Sequence, residues 1–149
     1  ATLVPDTPDV VTSNRGWKSS DDNALLRNVV STIHKYGVKV SLFIDPDFKM
    51  IECARDCGVD RIELYTGKYA KNYLDNKDIS VFEYIKASEY AISNGLQVNA
   101  GHDLDLNNLK FLKDSLSNLF EVSIGHALIS DALYYGLEKT IKMYLNELK

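Results

Sequence analysis

Two Gly-His pairs, Gly101-His102 and Gly125-His126, are the residues of this chain whose types and spacing best suit chemistry. Each pair follows a short apolar segment with the pattern of a β-strand and precedes a helical pattern. Glycine at a strand end lets a ligand approach the backbone and its N–H groups. Two such strand ends side by side in a parallel sheet, with the N-terminus of the next helix, form a cradle for a phosphate group. The alternative is that both are ordinary strand ends whose histidines are incidental.

A carboxylate in one of the strand patterns adds charge to this picture. Glu63 lies between Ile62 and Leu64, and alternate residues of a strand face opposite sides. If the two apolar side chains pack against helices, Glu63 points to the other side of the sheet. A carboxylate in such a place is either held in an ion pair or functional, because burying it otherwise costs free energy.

His102 is the residue best suited to proton transfer. An imidazole titrates near neutral pH, so it can both donate and accept protons. Val98, Ala100 and His102 share one parity, which predicts small residues on the interior face with the imidazole above them at its mouth. A histidine held by a loop carbonyl is the structural alternative.

The elements that must position these residues alternate along the chain. Strand patterns occupy residues 39–45, 60–66, 96–100 and 120–124, with the tail of another at 2–5, and helical patterns occupy residues 21–36, 47–57, 80–94, 106–116 and 128–148. This alternation predicts βαβ units and a parallel sheet, in one α/β domain spanning residues 1–149.

Local signals predict several helix ends. Asp47 is expected to cap the second helix, with Gly58 just after its end. Ser80 and Glu83 form the pattern of a capping box, which places a polar loop at residues 68–78 before the next helix. The terminal helical region is expected to break near Gly136.

The strand count bears on the fold. A closed (β/α)8 TIM barrel has eight strands and typically ~250 residues, and its phosphate site is often formed by the loops after strands 7 and 8. We therefore interpret the chain as the C-terminal five strands of such a barrel, with the first three strands absent. A self-contained, flavodoxin-like sheet of five strands is the alternative, although no phosphate loop follows the first strand here.

Composition excludes some classes of function. A net charge of −4 and a pI near 5.3 argue against a nucleic-acid or basic membrane-binding surface. No apolar run approaches the roughly 18 residues that span a bilayer. The pair Cys53 and Cys57 has helical spacing without nearby further ligands, which indicates small buried side chains in a reducing, cytoplasmic protein rather than a metal site.

A family resemblance joins these observations. Residues 40–45, 62–70, 99–102 and 123–129, preceded by 3–5 and 11–16, resemble the pyridoxine 5′-phosphate synthase family in order and spacing, and the likeness extends over residues 1–149. It implies a (β/α)8 barrel without cofactor or metal, active as a large homo-oligomer. The implied reaction condenses 1-deoxy-D-xylulose 5-phosphate with 3-amino-2-oxopropyl phosphate to give pyridoxine 5′-phosphate, phosphate and water.

The resemblance also implies residue roles. His102 would protonate the oxygen that leaves as water, and Glu63 would stabilise cationic, iminium-like character during the condensation. The substrate-binding residues would be Thr12 for the deoxyxylulose phosphate and Asp103, Gly125 and His126 for 3-amino-2-oxopropyl phosphate.

Several positions depart from the family pattern or fall outside it. Asp103 stands where the family has glycine, and Ser130-Asp131 stands where it has glycine and a basic residue. We interpret the second departure as surface variation. His34 is expected to be structural. The bases and arginines of the family's first half have no counterpart here, so the 149 residues alone are expected to be inactive.

Two other functions stay open at this point. One is a different phosphate-binding barrel enzyme, such as an isomerase or aldolase. The other is a non-catalytic half-barrel that binds a phosphorylated metabolite or associates with copies of itself.

Overall fold

The computed structural model describes residues 1–21 and 23–149. The elements of this part of the chain, in order, are β1 Thr2–Leu3, α1 Asn23–His34, β2 Ser41–Ile44, α2 Phe48–Asp56, β3 Arg61–Tyr65, α3 Gly67–Asn72, α4 Lys77–Ser93, β4 Gln97–Gly101, α5 Leu109–Ser115, β5 Leu119–Ser123, α6 His126–Tyr135 and α7 Leu137–Glu147. The predicted strands and helices are present, with ends that differ by a few residues. Position 22 of the predicted first helix lies outside the described residues.

The strands form one parallel sheet in the order β1-β2-β3-β4-β5. Each strand therefore lies beside its neighbour in sequence, and each connection moves the chain in the same direction across the sheet. A flavodoxin-like sheet has the order 2-1-3-4-5, with its first strand inside the sheet. The observed order excludes that alternative.

Capping explains most helix ends. The Asp47 side chain accepts a hydrogen bond from the Lys49 N–H at 2.8 Å and so begins α2, while Gly58 has a φ of 79° just beyond it. Both predictions are confirmed. Gly136 separates α6 from α7, also as predicted.

The predicted capping box at Ser80 and Glu83 is wrong. Helix α4 begins at Lys77, because the Asn76 side chain accepts a hydrogen bond from the Ile79 N–H at 3.0 Å and caps the helix one turn earlier. Ser80 instead donates its hydroxyl to the Lys77 carbonyl within the first turn. Much of the predicted polar loop is the helix α3, whose Tyr69 is fully buried.

One face of the sheet packs against the helices. Its side chains in the three central strands have no exposed surface: Leu42, Ile44, Ile62, Leu64, Val98 and Ala100. The prediction that Val98 and Ala100 lie on the interior face is therefore wrong. The register pairs Glu63 with Asn99 and Tyr65 with Gly101, so these alternate residues of β4 share the face of Glu63.

The opposite face, which a closed barrel would enclose and which we call the interior face, is more polar. It carries Phe43, Glu63, Asn99, Gly101 and Ser123, and the first four are buried. Asn99 is 2% exposed and its Oδ1 accepts no hydrogen bond within the described residues. The two faces of the same strands thus differ in chemistry, and the site lies on the polar one.

Two further properties bear on function. Among residues 1–21 and 23–149, no helix combines the length and the apolar character needed to cross a membrane. Cys53 and Cys57 are free thiols; Cys57 is buried as predicted, whereas Cys53 is only half-buried, and burial raises the pKa of the Cys57 thiol. A raised pKa keeps a thiol protonated and unreactive, in agreement with a packing role.

Candidate functional site

An open cavity of about 650 Å³ lies on the interior face at the carboxyl ends of the strands. It brings together all six site residues that the sequence singled out. The six are Thr12, Glu63, His102, Asp103, Gly125 and His126. Residues from β1, β2, β5 and α6 also line the cavity, among them Thr2, Phe43, Ser123 and Ser130.

Glu63 lies at the floor of this cavity with 7% of its surface exposed. Its Oε2 accepts a hydrogen bond from the Thr2 hydroxyl at 3.0 Å. Within the described residues Glu63 forms no salt bridge, so the ion-pair alternative finds no support in that part of the chain. A carboxylate fixed in a half-enclosed cavity can stabilise developing positive charge without reorganising.

Gly101 is required beside this carboxylate. A Cβ built at position 101 would lie 2.4 Å from Glu63 Oε1 and 2.9 Å from the Ser123 Cβ. Both distances are shorter than real Cβ contacts, so any side chain at position 101 would displace the carboxylate. The first glycine of the Gly-His pairs therefore makes room for Glu63.

The His102 imidazole enters the cavity through an unusual backbone turn. His102 has a φ of 90° and Asp103 a φ of 57°, a region that non-glycine residues rarely adopt and that costs on the order of 1–3 kcal/mol per residue. Strand alternation alone would direct residue 102 to the helix face, together with Val98 and Ala100. The left-handed turn reverses that direction. The imidazole therefore lies at the cavity as expected, although Val98 and Ala100, which were expected on the same side, face the helices.

Polar and aromatic side chains surround the imidazole. Its Nε2 shares a hydrogen bond of 3.2 Å with the Thr12 hydroxyl. The Tyr65 ring packs edge-on against it, with the ring centroids 4.9 Å apart. Nδ1 lies 3.1 Å from Asp103 Oδ2, although the two atoms lack the alignment of a hydrogen bond. The Asp103 carboxylate therefore lies against the imidazole.

The second Gly-His pair stands at the start of a helix. Gly125 occupies the N-cap position of α6 without a side-chain cap, and His126 is the first residue of that helix. The first N–H groups of a helix lack intrahelical acceptors and carry a partial positive charge, which favours an anion there. Since Gly101 pairs with Ser123 in adjacent strands, the two Gly-His pairs lie on neighbouring strand ends.

Some cavity residues were missed in the sequence. Ser130, at the position interpreted as surface variation, is exposed and also lines the cavity, one helical turn after His126 on the same face of α6. Its neighbour Asp131 accepts a hydrogen bond from the Tyr144 hydroxyl at 2.8 Å. Thr2 could have been found only from the strand register, which places it on the face of Glu63, whereas Tyr65, which contacts the imidazole, shares that face by alternation within β3.

His34 lies away from this cavity. Its Nε2 is 2.9 Å from Asp60 Oδ2, at the amino-terminal end of β3. Burial alone would raise the pKa of Asp60, but hydrogen bonds from Lys39, the Val40 N–H and His34 outweigh it and hold that pKa well below its usual range. The structural role predicted for His34 agrees with this contact.

Comparison with known proteins gives one family and many similar sequences. The family described as pyridoxal phosphate biosynthesis protein PdxJ matches residues 1–149. The pyridoxine 5′-phosphate synthase of Cytophaga hutchinsonii is 53% identical over 148 residues, covering 99% of this chain and 62% of the relative. The synthases of Porphyromonas gingivalis and Flavobacterium johnsoniae are 50% and 48% identical, with the same coverage. The chain thus spans 62% of the length of these relatives.

Proposed function

The chain belongs to the pyridoxal phosphate biosynthesis protein PdxJ family, and from this membership we propose that the protein containing it is a pyridoxine 5′-phosphate synthase. The observation that carries the proposal is one cavity lined by Thr12, Glu63, His102 and Gly125, with Gly101 beside the Glu63 carboxylate. A phosphate cradle, a buried carboxylate and an imidazole are the groups that a ring-closing condensation of two phosphorylated substrates requires.

The proposed reaction joins 1-deoxy-D-xylulose 5-phosphate and 3-amino-2-oxopropyl phosphate to give pyridoxine 5′-phosphate, inorganic phosphate and water. Condensation of an amine with a ketone passes through species with cationic, iminium-like character. Glu63 is the group that stabilises this charge, since its buried carboxylate is already oriented by the Thr2 hydroxyl.

His102 is the proposed proton donor. A hydroxyl leaves as water only when it gains a proton, and the imidazole reaches the cavity with Nε2 directed to the Thr12 hydroxyl.

The phosphate groups occupy two places in this proposal. Thr12 binds the phosphate of the deoxyxylulose substrate. The backbone N–H groups at Asp103, Gly125 and His126 bind 3-amino-2-oxopropyl phosphate at the start of α6. The position of the Asp103 carboxylate beside the imidazole supports this arrangement, because it leaves the backbone to bind the anion.

The proposed architecture is a (β/α)8 barrel, of which this single domain contributes the C-terminal five strands. The sequential strand order, the polar interior face and the 62% coverage of the relatives support it. β1 and β5 form the edges of the described sheet, and a closed barrel would pair both.

The proposed partners are the two phosphorylated substrates and further copies of the same protein, in the cytoplasm. Exposed apolar side chains on α6 and α7 support association. Ile129, Leu133 and Leu137 are 60%, 83% and 55% exposed, and Tyr134 is 86% exposed. Surfaces of this kind pack against another part of the protein or against another subunit.

A reconstituted reaction tests this function. The protein containing the chain, supplied with both substrates, should release pyridoxine 5′-phosphate and inorganic phosphate in equal amounts, measured by chromatography and a phosphate assay. The 149-residue chain by itself should show no turnover. Isomerisation or cleavage of one substrate in the absence of the other would favour an isomerase or aldolase, and binding without turnover would favour a non-catalytic barrel.

A further inference from the structure

Thr66 connects the ends of the two strands that carry Glu63 and His102. It directly follows β3 and is fully buried. Its backbone N–H donates to the Gly101 carbonyl at 2.9 Å, and its hydroxyl lies 2.7 Å from the same oxygen. The hydroxyl also contacts the His102 carbonyl. One small side chain therefore binds two consecutive carbonyl groups, those that precede His102 and Asp103.

These two carbonyls belong to the turn that places the imidazole. The β3–β4 pairing ends at Tyr65 and Gly101, so the next residues of β4 lack the support of the sheet. His102 and Asp103 nevertheless hold left-handed φ values of 90° and 57°. A strained backbone persists only where its surroundings determine it. The Thr66 hydroxyl contacts the carbonyls of the peptide groups on both sides of His102, and the Asn108 side-chain amide donates to the next carbonyl, that of Asp103, at 3.1 Å.

The direction of the turn decides where the imidazole lies. With extended backbone, residue 102 would point to the helix layer like Ala100, which is fully buried there. In the observed turn the imidazole instead contacts Thr12 and Tyr65 inside the cavity. Loss of the turn would therefore remove the imidazole from the site without any change at Glu63.

We propose that Thr66 is a positioning residue for His102: its hydroxyl holds the left-handed turn at the end of β4 and thereby directs the imidazole into the cavity. Thr66 itself lies behind the backbone and is not among the cavity-lining residues. The kinetic consequence rests on the proposed synthase function, whereas the placement of the imidazole does not.

The experiment uses the protein containing this chain and the variants Thr66→Val and Thr66→Ser. Valine keeps the shape of threonine but removes the hydroxyl, and serine keeps the hydroxyl. Thr140→Val is the matched control, since Thr140 is also fully buried and its hydroxyl makes no hydrogen bond within the described residues. In protein labelled with 13C at histidine Cε1, each imidazole gives one 1H–13C NMR cross-peak. Substituting the three histidines of this chain one at a time identifies their cross-peaks.

In Thr66→Val, we expect the His102 cross-peak to move while those of His34 and His126 stay in place. We expect kcat to fall on the order of tenfold with KM nearly unchanged, because misplacing a reacting group reduces the chemical step. Thr66→Ser and Thr140→Val should keep both the wild-type His102 cross-peak and kcat.

Two results would overturn the proposal. One is a folded Thr66→Val whose His102 cross-peak coincides with that of the wild type. The other is a folded Thr66→Ser whose His102 cross-peak moves away from its wild-type position. If Thr66→Val does not fold, Thr66→Ser provides the test of the proposal. If the wild type makes no pyridoxine 5′-phosphate, the proposed function fails, but the cross-peaks still decide the role of Thr66.

Discussion

The two faces of the sheet are made from the same strands but have different contents. In β3, Ile62 and Leu64 face the helices without exposed surface, and Glu63 between them faces the cavity. The apolar face fits the buried environment that folding favours. The polar face holds a buried carboxylate, an Asn99 oxygen that accepts no hydrogen bond within the described residues, and a strained turn.

Because of this difference, adjacent residues of one strand have different roles: those on the apolar face stabilise the fold, and those on the polar face form the site. Burying a charged or strained group costs free energy, and the packed helix face offsets that cost. Adjacent residues of one strand should therefore give opposite phenotypes when they are substituted. The following predictions test that separation.

The largest expected effect is on stability, in Leu64→Ala. Leu64 is completely buried against the helices, so its truncation removes apolar contacts and leaves a cavity, at a cost of about 2–5 kcal/mol. The free energy of unfolding, measured by urea denaturation, should fall by this amount. Turnover per folded molecule should stay near that of the wild type. A large loss of kcat at full folding would show that the two faces are not separate.

The next effect is on turnover, in Glu63→Gln. The amide keeps the size of the side chain and an oxygen to accept the Thr2 hydroxyl, but it removes the charge. We expect kcat to fall by about 10² or more, the usual scale for one preorganised electrostatic group. The urea midpoint should change little. Activity within about threefold of the wild type would contradict the role proposed for Glu63.

The sequence predicted the strands, the helices and the residues of the site better than the contacts between distant residues that hold the site. The Gly-His pairs and the parity of Glu63 are local patterns. Glu63, Gly125 and both histidines line one cavity, and Gly101 lies beside Glu63. The faces of Val98 and Ala100 were predicted wrongly because the direction of His102 was taken from strand alternation, whereas its φ of 90° reverses that direction. A backbone turn held by Thr66, from another strand, has no signature near residue 102.

The capping error at Ser80 has a similar origin. Both Asn76 and Ser80 are residues that favour an N-cap position, and local preference alone does not choose between them. In the structure α3 occupies part of the predicted loop, and its buried Tyr69 donates its hydroxyl to the Asn108 carbonyl at 2.6 Å. That contact spans distant parts of the chain.

A smaller effect is expected for Gly101→Ala. The added Cβ would collide with Glu63 Oε1, the movable end of a side chain, and less severely with the Ser123 Cβ on the edge strand β5, so both residues should shift while the fold survives. We expect kcat to fall on the order of tenfold, since misplacement of a catalytic group slows the reaction.

A double-mutant cycle identifies the cause. If Gly101→Ala acts through the carboxylate, it should reduce kcat less in a Glu63→Gln background, where the charge is already absent. Fully additive effects would mean that the methyl group harms something else, such as the packing against Ser123. Gly125→Ala is the control for stability, since its Cβ would meet nothing within 4 Å.

The smallest effect concerns Asp60, a charged residue at the amino-terminal end of β3, away from the cavity. It accepts hydrogen bonds from Lys39 Nζ at 2.6 Å and the Val40 N–H at 2.9 Å, and it contacts His34. Because these contacts lower its pKa in the folded protein, Asp60 stabilises the fold at pH values above its unfolded pKa of about 4. That contribution is lost as the pH falls through the folded pKa. Asp60→Asn should therefore lower the free energy of unfolding by about 1 kcal/mol at neutral pH and by less in acid, with kcat unchanged.

The exposed Asp56→Asn serves as control, with a change in the free energy of unfolding within about 0.5 kcal/mol. A stability difference between wild type and Asp60→Asn that stays constant into acid would show that the carboxylate charge contributes nothing, and a loss of kcat would extend the chemistry to this end of the strand.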